Sequence, residues 1–494
     1  MTSRRLTVAA IDLGASSGRV LIGQCRPDGM SLREVHRFAN EPVRVSGVLR
    51  WDVLALFHGV LAGLRRAQDV AGRLDSVGVD GWGVDYGLLD AEGHLLGNPA
   101  HYRDRRTEAV VSEVIEAVAA PALYTATGTQ LQPFNTLFQL LADRATSKLQ
   151  AATHALLIPD LMTYWLSGAR GTELTNASTT ALLDPRTMDW SHTIADQLNV
   201  PIHLFPPFRR AGDVAGAMLP EVASDARLTA PPLVVTVASH DTASAVVGVP
   251  ATSDNYAYVA TGTWALVGVD IAAPVITEAA RGANFTNEVG IDGSIRFLRN
   301  VTGFWLLQEC VRQWRAGGAD IDLAELTRAA ARIPPLRAFI DVQEPGFAAP
   351  GDMVGRVVQA SLRTSGVSPA SPVEITRCIL DSMALAIRHA VNDAVRLSGN
   401  AVDIVHVVGG GALNVPFCQA VADACQLPVV AGPTEAAAWG NAICQARAHG
   451  VVTGSLADAR SLVRRAEPPS SYAVRGDAGL WQRADEMVLA ARGV

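Results

Sequence analysis

Apolar positions along this chain alternate between short β-branched runs that stop at small or acidic residues and longer stretches with helical spacing. Thr7-Val8-Ala9-Ala10-Ile11-Asp12 predicts a strand, and Leu13-Gly14-Ala15-Ser16-Ser17-Gly18 a tight polar turn. Arg19–Gly23 then resumes strand character instead of opening a helix. The glycines therefore sit in a hairpin, whose N–H groups can line a nest for phosphate oxygens. Taken alone, a plain surface hairpin accounts for it equally well. Residues 54–68 predict an amphipathic helix and Asp75–Asp80 a strand leading into Gly81-Trp82-Gly83-Val84-Asp85-Tyr86, a bend with an aromatic pair and a carboxylate. Leu88-Leu89 and Leu95-Leu96 about the turn Asp90–Gly93 predict a hairpin. The mixed charges of residues 101–106 suit a solvated run or a structured polar pocket.

The strand–turn–strand plan returns at Asn255–Ala260, Thr261-Gly262-Thr263 and Trp264–Val269. Such an echo predicts a duplicated α/β unit with a cleft between the copies. Farther on, Pro372–Arg396 reads as a long helix with Ser371 at its start. A strand at Asp403–Val408, the triplet Gly409-Gly410-Gly411, a helix at Val415–Gln426 and a strand at Leu427–Val430 form a βαβ pattern. Glycines at that helix start accommodate close packing, and equally a phosphate on free N–H groups. Residues 435–448 continue as a helix containing Gly440-Asn441, and the last forty or so residues read as helical and packed back on the body. The expected division is 1–247, 248–452 and 453–494.

At the centre of this plan stands Leu233-Val234-Val235-Thr236-Val237-Ala238-Ser239-His240-Asp241-Thr242-Ala243-Ser244-Ala245. It reads as a buried strand followed at once by a helix, which puts Asp241 beyond the carboxyl edge of a sheet, where open α/β folds bind ligands. On this stretch alone, a helix cap is the better reading of Asp241.

Composition removes several classes. Hydrophobic residues are 49% and charged residues 18%, enough for large cores. A net charge of -7 gives no footprint for nucleic acid. No apolar run is long enough to span a membrane, and Leu6–Ile11 breaks at Asp12, too soon for an export signal, so a cytoplasmic protein is expected. Cys25, Cys310, Cys378, Cys418, Cys425 and Cys444 lack metal-site spacing and read as buried thiols. Lys148 is the only lysine and has no GK[ST] context, which removes a Walker loop and nearly removes Schiff-base chemistry. Phosphate-type turns around one strand-end aspartate describe an ATP site of the actin and hexokinase kind.

The segments Asp12-Leu13-Gly14-Ala15-Ser16-Ser17-Gly18-Arg19, Asp80-Gly81-Trp82-Gly83-Val84-Asp85, Tyr102-Arg103-Asp104, Ser239-His240-Asp241-Thr242, Gly262-Thr263-Trp264 and Gly409-Gly410-Gly411 together resemble the FGGY carbohydrate kinases, in order from about residue 7 to 442. Trp51-Asp52, Pro133-Phe134-Asn135-Thr136 and Asn176-Ala177-Ser178 fit the same family. The resemblance implies two duplicated ribonuclease H-like α/β domains and ATP-dependent phosphorylation of a ketose at its 1-hydroxyl, with Mg²⁺. L-rhamnulose is the expected acceptor, with L-fuculose or L-xylulose next; a sugar-responsive binding protein and an actin-like ATPase are the readings from other classes. By matching position, the resemblance makes Asp241 the general base and puts ATP against Ala15, Ser16, Ser17, Gly18, Arg19, Thr263, Gln308 and Gly410. It puts the sugar against Gly83, His240, Thr242 and Asn300, and the metal near Asp12. Two departures stand beside ligand positions: Gly81, where threonine is more usual, and Ala260-Thr261-Gly262-Thr263-Trp264-Ala265, where Ser-Ser-Gly-Thr-Trp-Ser is more usual.

Overall fold

The structure is a computed structural model and describes residues 5–492. It forms two compact units that interleave along the chain. Of the described residues, the first comprises 5–248, 270–297 and 436–466, and the second 249–269, 298–435 and 467–492. The expected division, 1–247, 248–452 and 453–494, has consecutive segments instead. One reason for the interleaving is the helix Ala436–Ala448, which packs among first-unit elements: a Cβ on its Gly440 would lie 1.8 Å from the Ser244 carbonyl oxygen. Only a residue without a side chain permits that approach.

The first unit is built on β1 (Leu6–Leu13), β2 (Ser17–Arg26), β3 (Gly29–Ala39), β4 (Ser76–Gly81), β5 (Val214–Ala217) and β6 (Leu233–Val235), in the order β5-β6-β4-β1-β2-β3. Strands β1, β2 and β3 form an antiparallel meander, whereas β4 runs parallel to both β1 and β6. Parallel neighbours need crossovers, and helix α1 (Val53–Ala71) carries the chain from the edge strand β3 back to β4, beside β1. Asp52 starts α1 by accepting a hydrogen bond from the Ala55 N–H at 3.2 Å. Ile11 and Leu13 pack in one core with Leu56, Val60 and Leu64 of α1, while Val8 packs in another with Ala442 and Ile443. A strand covered on both faces needs apolar residues on both, which is why β1 reads as an unbroken hydrophobic run.

The second unit repeats the plan. Strands β7 (Tyr256–Thr261), β8 (Trp264–Ile271), β9 (Ile295–Thr302), β10 (Ile404–Gly409), β11 (Val429–Ala431) and β12 (Ser470–Tyr472) follow in the order β9-β8-β7-β10-β11-β12, the last two residues of β8 and the first three of β9 falling in the first unit's share of the chain. As with β1, strand β7 pairs antiparallel with the next strand and parallel with a later one, β10. Helix α2 (Asp241–Val247) follows β6 in the first unit. In the second, α3 (Trp305–Ala316) follows β9, and α4 (Pro372–Ser398) starts at Ser371, whose hydroxyl accepts from the Glu374 N–H. Helix α5 (Val415–Cys425) is the crossover between parallel β10 and β11.

The expected hairpin at 88–96 is only partly present. Leu89 bridges Leu95, but Tyr86–Leu89 takes His154–Leu157 as its strand partner. The apolar run 233–238 is a strand only as far as Val235; the Thr236 N–H and C=O then bond to the Asp213 C=O and the Gly212 N–H. All six cysteines are buried and unpaired. Among the described residues, no single helix is long and apolar enough to cross a membrane.

Candidate active site

In the first unit the β1–β2 turn is closed by the Gly14 N–H donating to the Ser17 C=O at 3.0 Å. Asn40 pins the same turn twice, its backbone N–H on the Ser16 C=O and its side-chain amide on the Gly14 C=O. Ala15 and Ser16 are thereby presented at the tip of the turn, Ser17 and Gly18 open β2, and Arg19 stands directly opposite Asp12 in the ladder. Arg19 Nε lies 3.1 Å from Asp12 Oδ2. On the other side of β1, Asp12 is in register with Asp80 of β4.

Asp80 is fully buried. Its Oδ2 accepts from the Asn441 amide at 2.6 Å, and its Oδ1 has no hydrogen-bond partner. Burial first, then the charge of Asp12, pushes its carboxyl well above the usual carboxylate range. Asp241 adds to that push and Arg19 opposes it, so the three aspartates and the one guanidinium share an electrostatic neighbourhood.

Beyond β6, the chain stays tied to β4: the Gly81 N–H donates to the Ser239 C=O at 2.9 Å, and Gly81 bridges His240. Ser239 is anchored by Glu173, whose buried Oε2 accepts from its N–H and its hydroxyl at 3.1 and 3.0 Å. Asp241 is the first residue of α2, not its cap; His240 occupies the cap position without a side-chain cap bond. The cap reading of Asp241 is thereby excluded. Its carboxylate is 32% exposed, with the Thr242 hydroxyl donating to Oδ1 at 3.1 Å and His240 Nε2 at 3.5 Å.

Gly83 sits in a bend held from several directions. Val84 has φ +68, a left-handed conformation that a β-branched residue adopts only under constraint. The constraint is visible: its N–H donates to the Thr179 hydroxyl and its C=O accepts from the Thr136 hydroxyl at 2.7 Å. Asp85, completely buried, accepts from the indole N–H groups of Trp51 and Trp82, the Tyr102 N–H and the Gln139 amide. Burial pushes its carboxyl up to about 6, with these donors pulling the other way. The 101–106 cluster proves to be structured: His101 stacks on Trp51, and Arg106 binds Asp143 and Gln139.

In the second unit, Thr263, Gln308 and Gly410 come to the ends of three neighbouring segments. The Trp305 N–H donates to the Thr263 C=O, and the Gln308 N–H to the Phe304 C=O. Thr261 ties this turn to the glycine triplet, its hydroxyl accepting from the Gly411 N–H at 2.9 Å and donating to the Val408 C=O at 2.7 Å. Gly410 is exposed between two glycines packed on Thr261. Asn300 lies on β9, its C=O accepting from the Gln343 amide at 3.2 Å.

Two family models match, the N-terminal domain of the FGGY family of carbohydrate kinases over residues 7–248 and its C-terminal domain over residues 257–449. The chain belongs to the FGGY family of carbohydrate kinases. Among its relatives, a rhamnulokinase of Enterococcus faecalis is 39% identical over 472 residues, 94% of each chain. A rhamnulokinase of Bacteroides thetaiotaomicron is 37% identical, covering 94% of this chain and 95% of the relative. The family fold is borne out by a solved xylulose kinase of Lactobacillus acidophilus, which superposes with a TM-score of 0.81 at 15% identity, covering 99% of this chain and 98% of the other.

Three residues that support this site carry no role in the reading of the sequence: Asp80, Glu173 and Asn441. Asp80 stood inside a quoted motif, and Asn441 beside a helical glycine.

Proposed function

We propose that this protein transfers the γ-phosphoryl group of ATP to the 1-hydroxyl of L-rhamnulose, releasing ADP and L-rhamnulose 1-phosphate. The observation that carries the reaction is Asp241: a carboxylate at a strand-to-helix junction, partly exposed and not used as a cap. The choice of sugar rests on the rhamnulokinases that match nearly the whole chain at 37–39% identity.

In this reading Asp241 takes the 1-hydroxyl proton as the new O–P bond forms and the bond to ADP breaks. The transition state is loose, so a carboxylate that receives the proton late suffices. Gly83, His240, Thr242 and Asn300 hold the sugar. The loop Ala15–Arg19, with Thr263, Gln308 and Gly410, holds ATP through N–H groups and one fixed positive charge. A magnesium ion with the nucleotide fits beside Asp12. The carboxyl groups of Asp12, Asp80 and Asp241 share one guanidinium there, and Asp80 Oδ1 is buried without a hydrogen-bond partner among the described residues, so the donors available are oxygen. Bound there, it would neutralise phosphate charge.

The test is coupled ADP release with MgATP across L-rhamnulose, L-fuculose, L-xylulose and other ketoses. The expected result is the highest kcat/KM with L-rhamnulose. A different preferred ketose would keep the chemistry and overturn the sugar, pointing to Gly81 and the 260–265 segment. ATP turnover indifferent to every sugar would overturn the kinase.

A further inference from the structure

The first unit contains a buried ion pair that phosphoryl transfer, as argued above, leaves without a part. Arg296 is fully buried and Glu288 nearly so, with Arg296 Nη2 2.9 Å from Glu288 Oε2. Taking both groups out of water is costly, and such a pair is weak evidence for stability. Both members converge on one ring. His240 Nδ1 lies 3.3 Å from Glu288 Oε2 and 3.2 Å from Arg296 Nη2, while Nε2 lies 3.5 Å from Asp241 Oδ1. The frame around them is tied down: Arg296 Nε donates to the Val289 C=O, and the His240 N–H donates to the Thr175 hydroxyl.

A guanidinium only donates and a carboxylate only accepts. His240 Nδ1 therefore has a partner in either protonation state, accepting from Arg296 when bare and donating to Glu288 when protonated. Burial works against the Glu288 carboxylate, but Arg296 and His240 hold its carboxyl below the usual range, so the acceptor persists. The ring is thus kept in one place beside Asp241.

We propose that Glu288 and Arg296 are positioning residues of the sugar site, acting through His240 to hold its imidazole against the general base. This rests on the ketose-kinase reading, in which His240 meets the sugar. Small misplacements of such groups are expensive in rate and affinity, which gives the pair a reason to be buried here and nowhere else.

The test is a double-mutant cycle on the best-accepted ketose, with Glu288→Gln, His240→Asn and the double variant, and Arg296→Lys as a milder second probe. Glu288→Gln is expected to raise the ketose KM roughly tenfold while the ATP KM stays within about twofold. In the His240→Asn background the same change should add less than about twofold. Arg296→Lys keeps the charge and is expected to move the ketose KM in the same direction by less. Nitrogen-15 spectra of histidine-labelled, substrate-free protein supply a readout apart from turnover. The His240 ring signals, identified by their loss in His240→Asn, should shift in Glu288→Gln more than those of any other histidine. An equal KM penalty in both backgrounds, or His240 signals that do not move, would overturn the proposal. If no ketose is accepted, the kinase reading fails, and the ring signals alone decide whether the pair positions His240.

Discussion

The two hairpin turns, β1–β2 and β7–β8, occupy the same place in the same strand plan and carry opposite chemistry. Asp12 stands opposite Arg19 and beside Asp80. Ala260, its counterpart one residue before the strand end, stands opposite Leu266 and beside Val408, and the next residue, Thr261, supplies the polar group of this turn. Three carboxylates and a guanidinium influence one another in the first unit, whereas the second answers with a hydroxyl and backbone groups. The fold thus supplies the loop and its N–H groups twice and the charges once. Proton transfer needs a charged acceptor in only one place, while a nucleotide is well served by neutral donors that cost little to bury.

The largest effect should come from removing the charge that does chemistry. Asp241→Asn is expected to lower kcat by roughly 10²–10⁴-fold. ADP affinity, measured by calorimetry, should stay near the unmodified value, because the nucleotide contacts are assigned elsewhere. An unchanged kcat would mean that the charged half of the comparison is idle.

A backbone change in the neutral half should act on the nucleotide instead. Gly409 has φ +82, and a Cβ there would lie 2.4 Å from the Thr261 C=O oxygen. Gly409→Ala combines left-handed strain with that clash, for a loss of about 1–3 kcal/mol in stability. Its ATP KM is expected to rise roughly tenfold with the ketose KM within about twofold. Urea unfolding and initial rates check both halves. A rise confined to the ketose KM would overturn the assignment of Gly410 to the nucleotide.

What could be seen in the sequence followed the same divide. Elements with local signals were plain: β1 from its apolar run, α4 from Ser371-Pro372, the glycine triplet from composition. The site residues named from the family segments lie where strands end and turns begin, positions that short-range pattern can register. The supports were harder to find. Glu173 reaches Ser239, and Asn441 reaches Asp80, across 66 and 361 residues of chain. No periodicity connects residues so far apart. The interleaving of the units was hidden for the same reason, since nothing local in 436–448 tells that its Gly440 packs on Ser244.

A change of slope in stability with pH is the smallest effect expected. After β4 the chain carries Asp85, which has its ordinary value at 3.8 and is raised to about 6 in the folded protein, chiefly by burial. After β10 the corresponding turn, Gly409–Leu413, has no ionisable side chain. Between those two values the folded protein holds a proton on Asp85 that the unfolded chain has released. Ionising Asp85 therefore weakens the fold: its favourable contribution is complete below about pH 4 and is lost as the pH rises through about 6, an upper bound on the order of 3 kcal/mol. Asp85→Asn removes the titrating group but also places an amide N–H against donors, so it lowers stability at every pH. Urea unfolding between about pH 4 and 7 separates the two effects: the unmodified protein should lose stability relative to Asp85→Asn as the pH rises. Amide exchange should register that change around Trp82–Tyr86 and leave Gly409–Leu413 unaffected. Parallel pH profiles for the two proteins would show that the Asp85 carboxylate is as well accommodated charged as neutral, and the contrast between the two turns would then rest on activity alone.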